Sequence, residues 1–348
     1  MELTYDAQLA AKRGYVVEAF KKHGMDVAPA PVVAAPAEDG YRRRTTARGS
    51  FGPSGVQLGL LRAGTRELID LPECMVLHPQ LRLALGAVRE AVAAYAGDAS
   101  GAFQVEAVGD TESRVGLVFT VAPDLVEMFE EVCLALVEAG VECVSLFDEA
   151  GTRLLEEGDP RQFKIGSQTR FSVRSFTQLN FEQNISLVAH VVQVARDAKA
   201  KRVLDLYSGI GNYALELARE AEEVVAVESA MSSVADCRDN AAARGLANLK
   251  SLRSPSGEAV RELVRRRERF DLVVLNPTRA GADGVVEPLV KLKAPRIAYV
   301  SCSPPTLARD VAGLVRGGYR LASLTPFDMF PQTYHVETVA VLTRDIRC

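Results

Sequence analysis

No hydrophobic run in this sequence approaches the ~18 residues that a bilayer-spanning helix needs. The chain opens Met1-Glu2-Leu3-Thr4-Tyr5-Asp6, without the basic and then apolar stretch of a secretory leader. Charge of one sign is not in excess: 41 Lys and Arg stand against 45 Asp and Glu, a net charge of −4. A nucleic-acid partner would therefore have to show as local basic patches. Cysteines are few and scattered, at Cys74, Cys133, Cys143, Cys237, Cys302 and Cys348. No two are spaced C-x-x-C, so the spacing suggests no zinc site. With no leader, they are expected to be reduced thiols in a cytoplasmic protein, mostly acting as small buried apolar residues. What remains is ordinary: 348 residues, 48% hydrophobic and 25% charged. That composition excludes collagen, a long coiled coil and an intrinsically disordered chain. At this length two domains are expected.

Residues 5–24 read as one helix ended by Gly24, followed by a Pro- and Ala-rich linker from Ala28 to Ala37. Residues 41–70 alternate loosely and carry turn glycines, the pattern of an antiparallel meander. Helices are expected at 79–97 and 123–139, strands at 103–109, 113–121 and 141–148, and a further hairpin from 163–173 with 175–180. The first domain, 1–174, is thus expected to be α+β, with the helix 5–24 packing on the second domain or between the two. In the second domain, 175–348, short apolar strands such as RVLDL, VVAVE, DLVVL and RIAYV alternate with helices. Strands of that kind belong to a parallel sheet covered on both faces, so the fold class is α/β with a mostly parallel, twisted, Rossmann-like sheet.

Four places carry chemistry. Asp205-Leu-Tyr-Ser-Gly-Ile-Gly211-Asn212 lies where a buried strand turns into a helix, and Glu228 ends the next strand. Glycines there let backbone approach a ligand closely, and a carboxylate at a strand tip can accept hydrogen bonds from ribose hydroxyls. The third glycine of G-x-G-x-x-G is absent, since Leu215 stands in its place. The pattern D-x-x-x-G-x-G instead resembles the first motif of S-adenosylmethionine-dependent methyltransferases. Cys302 follows the strand IAYVS and precedes Pro304-Pro305. It therefore sits at the carboxyl edge of the sheet, where ligands and catalytic groups gather. Asn276-Pro-Thr-Arg279 ends the preceding strand, and Glu337 precedes the apolar strand VAVLTR. His335 reads as a structural residue.

With YRRR (Tyr41–Arg44), FTQLNFEQN (Phe176–Asn184), NPTRAGA, YVSCSPPTLARD and DMFPQTYHVE, these stretches resemble the RNA uracil-5-methyltransferase family in order and along almost the whole chain. The resemblance implies methyl transfer from S-adenosylmethionine to carbon 5 of a uridine in RNA. It assigns Cys302 as the nucleophile, Glu337 as the base, and Gln178, Tyr207, Gly209, Asn212, Glu228 and Asn276 as cofactor-binding positions. Arg42, Arg43, Arg44 and Arg48 are candidate phosphate contacts. Ribosomal RNA is favoured over tRNA, because YRRR, the length of the first half and DMFP look closer to the relatives acting on it. A monomer with no membrane partner is expected.

Two departures stand out. Many bacterial relatives hold a [4Fe–4S] cluster on four cysteines, of which only Cys74 has a counterpart here. One thiolate cannot hold such a cluster, so no iron–sulfur cluster is expected in this chain. The family's fourth motif begins with Asp, whereas here it is Asn276, an amide that can donate as well as accept. Two alternatives stay open: a catalytically impaired RNA-binding paralogue, and a methyltransferase acting on another base or a small molecule.

Overall fold

The computed structural model describes residues 3–62 and 64–344. They fall into two units, Met1–Glu38 with Ser175–Cys348, and Asp39–Arg174. Helix α1 (Tyr5–Lys21) opens the first unit, with the Thr4 hydroxyl accepting from the Ala7 N–H. Gly24, at φ +71°, follows its end, a backbone conformation that glycine adopts without steric cost.

The unit of residues 39–174 contains β1 (Arg44–Gly52), β2 (Gly55–Leu61), β3 (Leu68–Asp70), α2 (Pro79–Tyr95), β4 (Gly101–Gly109), β5 (Val115–Val121), α3 (Val126–Glu138), β6 (Cys143–Asp148), β7 (Arg153–Glu157), β8 (Phe163–Ile165) and β9 (Thr169–Phe171). Among the described residues one seven-stranded sheet runs β3-β2-β1-β4-β5-β6-β7. The expected meander is there, β1 to β3 pairing antiparallel through the Gly52–Gly55 turn. Strands β5 and β6 pair in parallel, because α3 carries the chain back between them. Val88 and Val92 of α2 and Phe129 and Val132 of α3 bury against Phe103, Phe119 and Leu117 of the sheet. The hairpin after β7 is shorter than the sequence suggests. It closes within β8 and β9, and residues 175–180 form a loop leading into the next helix. Asn180 ends that loop as a helix cap, accepting from the Gln183 N–H.

The other unit continues with α4 (Phe181–Asp197), β10 (Arg202–Leu206), α5 (Ala214–Leu217), β11 (Glu223–Glu228), α6 (Met231–Ala243), β12 (Leu249–Arg253), α7 (Ser256–Arg265), β13 (Leu272–Leu275), α8 (Val286–Leu292), β14 (Arg296–Ser301), α9 (Pro304–Arg316), β15 (Arg320–Phe327) and β16 (Glu337–Thr343). Its sheet order is β12-β11-β10-β13-β14-β16-β15. Strands β10 to β14 are parallel, and β16 lies antiparallel between β14 and β15. Successive strand residues point to opposite faces, and here both faces are buried. Val273, Leu275, Ile297 and Tyr299 join one apolar cluster, and Leu272, Val274, Ala298 and Val300 join the other. This is why β11, β13 and β14 read as unbroken apolar runs, and β10 as one broken only by the buried Asp205.

Helix α1 packs against α9 and β15 in this unit. Lys12, only 3% exposed, reaches the fully buried Asp328 and also donates to the Phe330 carbonyl at 3.0 Å. Gln8 and Gln332 exchange hydrogen bonds at 3.0 Å beside it. The helix thereby anchors the segment that runs from β15 to β16. Lys12→Met strands a buried carboxylate and is expected to cost about 3–5 kcal/mol. Adding Asp328→Asn should restore most of that loss in a urea titration.

Candidate active site

In the α/β sheet the strand order reverses at β10, which lies between β11 and β13. At such a switch point the connections leave in opposite directions and open a crevice at the carboxyl ends of the strands. The glycine turn follows β10 at this crevice. Tyr207 has φ +58°, Gly209 +55° and Gly211 +91°. A non-glycine residue in the left-handed region is strained, and such strain tends to concentrate at functional sites. The Ser208 N–H donates to Val227 O of β11, and the Gly211 N–H closes the turn onto Ser208 O. A Cβ on Gly211 would come within 2.9 Å of Leu215 and 3.0 Å of the Cys237 sulfur, whereas one on Gly209 would meet open space. Gly211 therefore serves the fold, and Gly209 faces the space a ligand would use.

Glu228 is half-buried at the tip of β11. Its Oε2 accepts from the Gly209 N–H at 3.1 Å, and its Oε1 accepts from the N–H groups of Ser229 and Ala230. The carboxylate is fixed in place, and Oε2 keeps a free lone pair for a ribose hydroxyl. Beneath the turn, Asp205 is fully buried. Its Oδ2 accepts from the Ala214 N–H, and its Oδ1 has no hydrogen-bond partner, nor has the buried Ser208 hydroxyl. Burial pushes the Asp205 carboxyl up to about 8, against the Ala214 N–H, with the Glu228 charge adding to the rise. Asn212 and Asn184 of α4 pair their amides reciprocally at 2.7 and 3.1 Å, tying α4 to the turn. Gln178 is half-buried two residues before the Asn180 cap. The Asn276 amide donates to the Tyr213 hydroxyl at 3.2 Å, a bond that an Asp carboxylate could not donate. This set of groups fits S-adenosylmethionine. The open face of Gly209 and the fixed Glu228 suit a nucleoside, and the unpartnered Asp205 and Ser208 oxygens leave polar capacity at the turn.

Cys302 follows Ser301, the last residue of β14, and Glu337 is the first residue of β16. Ser301 pairs with Thr338 across the antiparallel ladder. Continuing that register by one residue sets Cys302 opposite Glu337. Cys302 is half-buried, whereas Cys133, Cys143 and Cys237 are buried. Burial lifts the thiol groups of those three to about 12, 11 and 11, so they pack as small apolar residues. The Cys302 thiol is raised by burial first and by the Glu337 charge second, and the positive charge of Arg279 pulls it back down. Glu337 is 2% exposed, and burial pushes its carboxyl up to about 8. A carboxyl with that affinity for protons is suited to general-base work near neutral pH.

The sequence alone gives Arg279 no role in the site and reads His335 as structural. In the structure the Arg279 Nη2 lies 3.3 Å from the His335 Nε2, and the same guanidinium acts on Cys302. Tyr213 was also missed. It is 2% exposed, holds Asn276, and senses the Glu337 charge. Its position one residue past the glycine turn was the available signal.

The arginines of the other unit divide by environment. Arg44 is 7% exposed, paired with Glu106 at 2.6 Å and donating to Val173 O at 2.8 Å. Its guanidinium therefore holds the unit together instead of facing outward. Arg42 and Arg43 are half-buried and donate to the carbonyls of Arg44 and Asp110, while Arg48 is exposed on β1. Among the described residues no three His, Cys, Asp or Glu side chains converge as metal ligands, and no helix is long and apolar enough to cross a membrane.

Against known proteins, residues 164–345 match the family model described as tRNA (Uracil-5-)-methyltransferase. The 23S rRNA (uracil(1939)-C(5))-methyltransferase RlmD of Cronobacter sakazakii is 35% identical over 90% of this chain and 73% of its own length. The RlmD of Aeromonas hydrophila is 33% identical over 97% of this chain and 77% of its own. Among solved structures, the Pyrococcus abyssi tRNA (uracil-54, C5)-methyltransferase in complex with S-adenosyl-L-homocysteine superposes with a TM-score of 0.74 at 24% identity, covering 98% of this chain and 84% of that one. This last likeness is one of fold.

Proposed function

This chain belongs to the RNA uracil-5-methyltransferase family, and from that premise we propose that it methylates carbon 5 of a uridine in ribosomal RNA through a transient bond between Cys302 and the uracil ring. The observation that carries the reading is the opposition of Cys302 and Glu337 across β14 and β16, at the same sheet edge as the glycine turn. The named activity of the RlmD relatives supports ribosomal RNA as the substrate.

Uracil carbon 5 is a weak nucleophile. Addition of the Cys302 thiolate to carbon 6 pushes an electron pair toward the carbonyl at carbon 4, and the resulting enolate makes carbon 5 reactive. Arg279, already beside the sulfur, favours the thiolate form. Bound S-adenosylmethionine supplies an electrophilic methyl carbon. Glu228, Gly209, Asn212 and Gln178 would hold it, with Tyr207 and Asn276 at the adjoining strand ends. After transfer, carbon 5 carries both a methyl group and a proton. The Glu337 carboxylate takes that proton, the ring double bond re-forms, and the thiolate leaves. The target base must leave its stack to reach the sulfur. Arg48, with Arg42 and Arg43, would contribute phosphate contacts and a salt-dependent share of affinity.

Incubating the protein with methyl-labelled S-adenosylmethionine and unmodified 23S rRNA tests the reading. Label recovered as 5-methyluridine is the expected result. RNA retained without incorporation would instead indicate a binding paralogue.

A further inference from the structure

Beyond the reacting uridine, we propose that Tyr334 is a stacking platform for the base of a nucleotide that flanks the target in single-stranded RNA. Tyr334 lies three residues before Glu337 and is 71% exposed. Its ring lies against His335, with centroids 4.1 Å apart and planes tilted by 39°. Phe330 meets the same histidine edge-on, with centroids 5.9 Å apart. His335 in turn meets the Arg279 guanidinium at 3.3 Å, and Arg279 acts on the Cys302 sulfur. A continuous row therefore runs from the nucleophile through a cation and an imidazole to an exposed aromatic face.

Large aromatic rings are usually covered, because burying one is worth a few kcal/mol. One held in place by its neighbours yet left open is prepared for a flat apolar partner. The partner that the site's chemistry supplies is a nucleobase. A uridine that swings out to meet Cys302 leaves its neighbour unstacked, and an exposed aromatic ring at the end of that row recovers part of the lost stacking. The contact tolerates any base, since every base has a π face. Tyr334 thus pays part of the cost of extrusion without reading sequence. The inference rests on the proposed RNA substrate.

The chain contains no tryptophan, so Tyr334→Trp places a single indole at the platform. The expected result is fluorescence quenching on titration with a single-stranded RNA oligonucleotide carrying a central uridine. The quench should be lost when the nucleotide on one side of that uridine is abasic. In methylation assays, Tyr334→Ala should raise KM for RNA roughly ten-fold, with kcat nearly unchanged, and Tyr334→Phe should restore it. The proposal is overturned if the indole is indifferent to RNA, if quenching persists with both flanks abasic, or if Tyr334→Ala leaves KM unchanged. Failure of the native protein to methylate any RNA would count against the proposed activity. The fluorescence titration would then still decide the stacking.

Discussion

Cys302→Ala is expected to lower methyl transfer on the order of 10³-fold or more, the scale seen when an enzyme loses its covalent nucleophile. The fold should hardly notice. Cys302 is half-buried just past the end of β14, and the side chains that hold the glycine turn lie on β10, β11 and α4. S-adenosylmethionine affinity, measured by calorimetry, should therefore stay at the native level while turnover disappears. The opposite pattern, weakened cofactor binding with turnover intact, would remove Cys302 from the chemistry. Cys237→Ala supplies the contrast. That thiol is buried in the cluster of β10 and β11 residues, so its loss should lower stability and leave the rate law unchanged.

Glu337→Gln has the second largest expected effect. Without a base to take the carbon-5 proton, the methylated adduct cannot collapse, and a protein–RNA species that survives denaturing gels should accumulate. Turnover should fall by about 10²–10⁴-fold, the usual worth of a positioned base. Normal turnover with no trapped species would take Glu337 out of this role. The pH dependence follows from the same burial. Glu337 acts only when ionised, and its carboxyl is pushed up to about 8, so native activity should rise with pH through that value. The variant should lose this limb.

Stability should run the other way. Burial raises the carboxyl of the folded protein above its ordinary value of 4.5. Between 4.5 and about 8 the folded state therefore holds a proton that the unfolded state has released, and stability falls as pH rises through that window. A neutral glutamine escapes the penalty. Glu337→Gln should match the native protein near pH 4 and exceed it by a few kcal/mol near pH 8, as read by urea titration at the two pH values. An enzyme that loses activity and gains stability from one substitution is one whose buried carboxylate is kept for its chemistry.

How much of this was legible in the sequence depended on how local each signal was. Strands β10, β11, β13 and β14 announce themselves because both faces of the sheet are covered, which demands mostly apolar runs. The edge strand β12, Leu-Lys-Ser-Leu-Arg, has only Ser251 buried, so it carries no such run and escaped notice. So did α7, which buries only Ser256, Ala259 and Val260. The glycine turn and Cys302 were readable because each is fixed by a few neighbouring residues. The opposition of Cys302 and Glu337 was not, except through family resemblance. It depends on β16 inserting antiparallel between β14 and β15, and no local pattern encodes that choice. Arg44 looked like its neighbours in YRRR, and only the fold shows that Glu106 and Val173 enclose it.

The buried pair of Lys12 and Asp328 joins positions 316 apart in the chain. A ribosome adding about 5–20 residues per second needs roughly 15–60 s to make the second after the first. Throughout that interval Lys12 stays hydrated, since burying its charge without Asp328 would be costly. Residues 39–174 emerge complete meanwhile and can settle on their own core. Synthesis thus imposes an order on maturation: the segment made first waits for the segment made nearly last, and a chain halted before Asp328 leaves Lys12 without the carboxylate that lets its charge be buried.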